Sequence, residues 1–441
     1  MIDLAKVGLK DFTRSAKILI LTNTIYAFVL PVIDIFVASY IMRNSNNPSK
    51  VILYQLAIYV GIPITFFING YLLNRINIKR LFSLGMILSG VSMVFMMSLD
   101  EINYTGIAIA GLIMGMSFGL YWANRDYLVL ATTKDKTRNF YYGLETFLYT
   151  IIASIVPVMI GWFLMSGNEG EGEISNDAVN SGYRVITMIV FGITILASIV
   201  FHFGKYDKPK SEKFLYFTFH KLWKKMLQLA VLKGLAQGFI VTAPAMLMMK
   251  FFHSEGALGS AISIGAVIAA IIMLILGKYS KPKHRLIIFS VGLICFFLAS
   301  FFNGLLFNTT GVIVFMFLLL IARPVLDIAY FPIQLKVIDL LSSIENRNEF
   351  SYILNHEFGL FVGRFLGAGT FLVIAFYINT DIALRYALLI IGVLQLLSII
   401  IAKQLLKQQE TLEKETLATK NVVPQSKDDV GATIDSPIKK K

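Results

Sequence analysis

The 441-residue chain holds one cysteine and 5 histidines, and only 15% of its residues are charged. The single thiol, Cys295, permits no internal disulfide. The histidines do not fall at metal-ligand spacing, and no P-loop, HExxH, CxxC or GxSxG pattern occurs, so no catalytic residue, cofactor or metal is expected. Against so few charges stand 56% hydrophobic residues and a mean hydropathy of +0.70, which exclude an ordinary water-soluble domain. A formal net charge of +13 raises nucleic acid as a partner, but the lysines and arginines lie between apolar runs and build no basic face in water.

What the chain has is long apolar runs. About 20 such residues at 1.5 Å each cross a bilayer. They occur near 18–41, 51–73, 81–98, 105–130, 140–165, 184–204, 227–249, 257–277, 286–306, 311–335, 350–377 and 383–402, which predicts about 12 spanning helices and an all-α membrane protein. The basic leader MIDLAKVGLKDFTRSAK precedes a run too long for a signal peptide and without a small-residue cleavage site, so it is read as an uncleaved first span. Ile2, Leu9 and Phe12 share a helical face that would suit the membrane surface.

Lysine and arginine set the orientation. With the N-terminus inside, the cytoplasmic side receives Lys6 to Lys17, Arg75, Lys79, Arg80, Lys134 to Arg138, the run from Lys205 to Lys225, Lys278 to Arg285, Lys336 and Arg347. The other side holds Arg43, Lys50, Arg184, Lys250 and Arg385, and its longest loop is acidic, so both termini are expected in the cytoplasm. The expected organisation is an N-terminal six-helix half (1–204), a basic amphipathic connector (205–225) with Tyr216 and Trp223 as interfacial anchors, a C-terminal six-helix half (226–402), and a disordered cytoplasmic tail (403–441).

The halves echo one another. GYLLNRINIKRLFSLG begins at Gly70 and GKYSKPKHRLIIFSVG at Gly277, an offset of 207 residues, and both end in Phe-Ser-x-Gly. Arg138-Asn139-Phe140 returns as Arg347-Asn348-Glu349-Phe350 at nearly the same offset. Parallel six-helix repeats are an established transporter plan. Gly70, Leu72, Asn74, Arg75, Lys79 and Arg80 resemble the G-x-L-x-D-R-x-G-R-K/R loop signature between helices two and three of the major facilitator superfamily. The chain departs from that pattern at Asn74, where the family has Asp, and at Asn77, where it has Gly. The resemblance covers roughly residues 15–402 and implies alternating access, with Gly70, Asn74, Arg75 and Arg80 in a cytoplasmic gate. The Tyr-Trp-x-x-Arg fourth helix and NHEFGLFVGRFLG (355–367) resemble a poorly characterised bacterial group within that superfamily. Stripes of small residues, Gly359, Gly363 and Gly367 on span eleven and Ala257, Ala261, Gly265 and Ala269 on span eight, suit close helix contact.

Charges inside spans are costly unless paired or used. The loop between spans four and five centres near residue 135, which sets Arg125 and Glu145 at one depth, roughly 9 Å from the inner surface, and predicts a pair. Asp126, about 100° round the helix, should turn toward the loop or another helix. Arg323 and Asp327 share a helical face and lie level with Arg364, which predicts a central network, with His356 and Glu357 nearer the cytoplasm. Asp34 stands alone after Pro31, where a carboxyl group can exchange a proton or reach headgroups. Lys233 can snorkel to the inner surface.

These readings converge on a non-enzymatic secondary active transporter, monomeric and multi-pass in a bacterial inner membrane, moving a small solute with protons among membrane lipids. Tyr121, Trp122, Arg323, Asp327 and Arg364 are the expected substrate-binding residues, Asp34, Glu357 and Glu145 the proton-coupling ones, and Arg125 and Glu145 join the gate. A lipid or glycolipid flippase of the same fold and a non-transporting membrane sensor or scaffold are the alternatives.

Overall fold

A computed structural model describes residues 9–73, 75–99, 101–133, 135–166, 176–206, 215–279, 282–347 and 349–422. Among them are 12 helices long and apolar enough to cross a membrane and no strand. In chain order they are α1 (Arg14–Ser45), α2 (Pro48–Leu72), α3 (Ile78–Met97), α4 (Tyr104–Val129), α5 (Leu144–Met165), α6 (Asn176–His202), α7 (Lys221–Phe252), α8 (Glu255–Ile272), α9 (Arg285–Leu306), α10 (Thr309–Glu345), α11 (Ser351–Tyr377) and α12 (Thr380–Thr416). An even number of crossings puts the start of α1 and the end of α12 on one face. That face carries most of the lysine and arginine and is called the basic face below.

Asparagine does most of the capping. Asn47, Asn77, Asn103, Asn308 and Asn379 each accept a backbone N–H of the first turn, starting α2, α3, α4, α10 and α12. A short polar acceptor there satisfies amides that have no partner within the helix, which matters most where water is scarce. The first helix of each half is interrupted near a proline. In α1 the chain passes through a π-helical turn, Val32–Phe36, directly after Pro31; in α7 it breaks at Val241 and Thr242 ahead of Pro244. Proline has no N–H for the ladder and its ring crowds the preceding turn.

Helices α1 to α6 form one bundle and α7 to α12 the other, and the two meet where α1 packs on α7, α2 on α11 and α5 on α8. Close approach within the C-terminal half runs through span eleven. A Cβ on Gly363 would lie 2.0 Å from the Val231 carbonyl oxygen of α7, and one on Gly234 2.2 Å from that of Leu360. On α8, Gly265 faces Leu320 of α10, while the contact with α5 uses a different side: a Cβ on Gly259 would meet the Pro157 carbonyl oxygen at 2.2 Å. Small residues thus set the helix spacing where packing, and no difference in hydrophobicity, holds helices together.

Two expectations need correction. The chain beyond Lys403 is helical as far as Val422, because Ala402, Leu405 and Leu412 recur on one face and pack against α7, α9 and α10, and because Glu413 binds Lys336 at 2.8 Å. Trp223 is no interfacial anchor. Its ring is fully buried, edge-on to Tyr352, and its indole N–H donates to Asn355 Oδ1 at 2.7 Å. The Lys205–Lys225 connector falls partly at 207–214, outside the described residues.

Candidate functional site

The seam between the halves is bonded at one end. Arg43 at the far end of α1 grips Glu255 at the start of α8 through both Nε and a terminal nitrogen, one to each carboxylate oxygen. Tyr183 of α6 donates its hydroxyl to the same carboxylate at 3.3 Å. Glu255 is 1% exposed and Arg43 11%, so a buried charge pair closes the face opposite the basic one. Deeper along the seam, Trp162 donates to Ser260 Oγ at 3.2 Å, the Val158 N–H to Ser263 Oγ at 3.1 Å, and Tyr59 to the Gln237 carbonyl at 2.9 Å. These hydrogen bonds between the halves run from the middle of the helices to this opposite face. Sequence reasoning assigned Arg43 to a loop and passed over Glu255, since nothing local relates residues 212 positions apart.

The N-terminal half carries its own cluster near the basic face. Arg125 binds Glu145, as the hairpin geometry predicted, and Asn23 donates to Glu145 Oε1 at 2.7 Å. Asp126 departs from expectation: its Oδ1 accepts from Arg125 at 2.7 Å, because a long guanidinium bends back along the helix surface and cancels the angular offset. Arg125 also lies over the Trp122 ring, 5.6 Å from its centroid. Tyr121 is buried, stacked on Phe82 at 5.2 Å, with its hydroxyl donating to Asn23. Of the two aromatic residues expected to meet substrate, Trp122 is the more accessible.

In the C-terminal half the expected Arg323, Asp327 and Arg364 network is not formed. Asp327 pairs with Lys233 at 3.1 Å, and Arg364 with Glu357 at 3.5 Å. Lys233 therefore does not snorkel. Its ammonium lies 4.0 Å from the Tyr330 ring centroid and 4.1 Å from that of Phe331, so aromatic faces supply inside the bundle what headgroups would supply outside. Arg364 also donates to Gln237 Oε1 at 3.0 Å and sits over Tyr59 of the other half at 5.4 Å. His356 is buried on the Tyr330 hydroxyl at 2.7 Å.

Arg323 is left without a hydrogen-bond or ion-pair partner among the described residues. It lines a pocket together with Lys233, Gln237, Asp327, Gln395, Phe289, Leu293 and Phe296. Asp34, in the π-helical turn of α1, is close enough for its charge to act directly on Arg323 and on Tyr54, Tyr59 and Tyr149. Both Asp34 and Arg323 are exposed residues of otherwise buried surroundings, one from each half.

Of the expected gate, Arg75 and Arg80 are exposed and their side chains have no hydrogen-bond or ion-pair partner among the described residues, and Asn74 lies outside them. Next to Gly70, Asn69 and Asn124 exchange amide hydrogen bonds at 3.2 and 3.0 Å and tie α2 to α4. That pair was not foreseen. Asparagines buried in apolar runs were its only signal.

The comparisons agree with this architecture. The chain is 22% identical over 416 residues, 93% of its length and 94% of the relative's, to "Uncharacterized protein YqgE" of Bacillus subtilis (strain 168). It is 24% identical over 165 residues to "Uncharacterized protein in sodM 3'region" of Geobacillus stearothermophilus, covering 37% of this chain and 77% of that one. The fold matches the nucleoside transporter NupG with a TM-score of 0.61 at 13% identity, covering 90% of this chain and all of that one. It matches a bacterial homologue of the human lysosomal transporter Spinster with a TM-score of 0.63 at 15% identity, covering 90% and 96%. Residues 19–355 match the family model of the Major Facilitator Superfamily. With two six-helix halves meeting along one seam and a family match over most of its length, this multi-pass membrane protein belongs to the Major Facilitator Superfamily.

Proposed function

We propose that the protein is a proton-coupled secondary active transporter of the bacterial inner membrane, with the basic face in the cytoplasm. The observation that supports this reading is where the halves are bonded: among the described residues the hydrogen bonds between them gather from the middle of the helices to the face opposite the basic one, as in a transporter closed on that side. Rocking one half against the other would break the Arg43 to Glu255 clasp and open the second side. In this reading Asp34, exposed within its span, and Glu357, paired with Arg364, carry the coupling proton, with Glu145 behind them. Trp122, Arg323, Asp327 and Arg364 contact the solute, Tyr121 supports Trp122 from within the packing, and Arg125 with Arg75, Arg80 and Gly70 belongs to the basic-face gate.

Accessibility in proteoliposomes tests this without knowing the solute. In a Cys295→Ser background, a cysteine at Thr146 should react with a membrane-impermeant maleimide from the basic face, while one at Ser260 should be protected from the opposite side. Substituting Arg43→Gln should reverse that preference, and imposing a pH gradient should shift it in the parent. Simultaneous labelling at both positions would indicate a pore, and labelling indifferent to Arg43→Gln would leave a static scaffold. Indifference to the pH gradient would remove proton coupling.

A further inference from the structure

This inference rests on the transporter reading and adds the class of solute and its exchange for a charge. In the C-terminal half each cation near the cavity has a carboxylate of its own half, Lys233 with Asp327 and Arg364 with Glu357, except Arg323. A guanidinium cannot shed its proton, and an unpaired one in a bilayer costs a few kcal/mol on insertion scales. The opposing charge of the other half that acts on it is Asp34 of α1. The groups that act on Asp34 from the surrounding elements are Tyr26 of α1, Tyr54 and Tyr59 of α2, Tyr149 of α5 and Arg323 of α10, with no second cation among them. Those around Arg323 are Asp34, Tyr59 and Tyr149, together with Asp327, which is held by Lys233.

The pocket in front of Arg323 has two kinds of wall. Phe289, Leu293, Phe296 and Leu326 make one apolar, and Gln237 and Gln395 add polar groups to the rest of the lining. A guanidinium offers paired donors to a carboxylate or phosphate, and here those donors are not taken.

We propose that Arg323 anchors an organic anion whose apolar body lies against Phe289 and Phe296, and that this anion and the ionised Asp34 are alternative counter-charges of Arg323. When the anion arrives, Asp34 takes up a proton from the cavity water and becomes neutral; when the proton leaves, Asp34 returns as counter-charge and the anion is released. One proton and one negative charge are bound together, so the loaded cavity carries the same net charge as the empty one. Anion binding therefore tightens as pH falls through the range in which Asp34 is ionised in the empty protein.

The test uses the detergent-purified full chain and three probes of one shape: benzoate, benzamide and benzylamine. Benzoate should raise the thermal unfolding temperature and the other two should not, because a ligand that binds only the folded state stabilises it. Benzoate affinity should strengthen by up to about tenfold for each unit fall in pH, the slope of one linked proton. Asp34→Asn should hold it at the acidic level at every pH, and Arg323→Gln should abolish the response. Asp34→Asn removes no cation, so it keeps the test open if the arginine variant does not fold. Three results overturn the proposal: no benzoate response, equal stabilisation by benzamide or benzylamine, or a wild-type response with no pH slope that persists in Arg323→Gln. If the Thr146 and Ser260 labelling still alternates in those circumstances, the transporter reading stands and the solute class falls. If benzoate binds as described while labelling never alternates, the anion site stands and transport falls.

Discussion

Removing one half of the Arg43 to Glu255 clasp should change which face is open. The pair is bidentate, buried, and joins helices of different halves, so it exists only while the face opposite the basic one is closed. Deleting one partner of a buried pair costs about 3 kcal/mol or more, because the remaining charge is desolvated without compensation. In Arg43→Gln that penalty falls on the closed arrangement, since opening the face lets water reach Glu255. A shift of about 3 kcal/mol changes the ratio of the two arrangements by about 150-fold. Spin labels on Cys295→Ser protein at Glu101, just ahead of α4, and Thr310, in the first turn of α10, both exposed, would report the distance across that face by pulsed electron resonance. The parent should give a short distance, Arg43→Gln and Glu255→Gln a longer one, and the double substitution less than the sum of the single shifts. Unchanged distances in both single variants, or strictly additive shifts, would refute the assignment of this pair as the closure.

Other consequences are accessible to simpler measurements. Gly363→Val should lower the unfolding temperature in detergent by an amount matching about 1–3 kcal/mol, since even a Cβ there would press on the Val231 backbone oxygen, whereas Gly192→Ala, with nothing within 4 Å of its Cβ, should be neutral or slightly stabilising. Arg125→Gln should destabilise by about 3 kcal/mol and Arg125→Gln with Glu145→Gln by less, measured by the same melt; equal costs would mean that Asp126 and Asn23 carry the cluster without Glu145. Deleting residues 403–441 should lower the yield of folded protein, because it strips Leu405 and Leu412 from their cluster and leaves Lys336 alone, while deleting 423–441 should not.

The sequence carried the spans because bilayer thickness imposes a length on apolar runs: all 12 predicted runs lie on the 12 helices, although α10 and α12 extend well past the predicted ends at 335 and 402. Arg125 with Glu145 was legible for a related reason: a hairpin relates residues equidistant from its loop, so depth alone suggests the pair. The other ion pairs lack that symmetry. Lys233 and Asp327 come from helices far apart in the chain, Arg43 and Glu255 from different halves, and only the tilt of whole helices brings them together. Side-chain reach misled at Asp126, where rotation about the helix was counted and the flexibility of the arginine was not. At residues 403–422 the high content of charged residues suggested a solvated coil, while a few well-spaced leucines and a buried Gln409 decided for a docked helix.

The buried apolar side chains form two bodies of unequal reach. The larger draws its members from between Phe12 and Ile391 and includes residues of both halves. The smaller gathers Leu222, Trp223, Tyr330, Val337, Tyr352, Ala402 and Leu405 and belongs to the C-terminal half alone. A motion that parts the halves must tear and re-form contacts of the first body and can leave the second intact. The basic-face end of the C-terminal half should then travel as one stiff block, with the docked end of α12 as its keel, and deformation should concentrate in the broken first helices at Pro31 and Pro244.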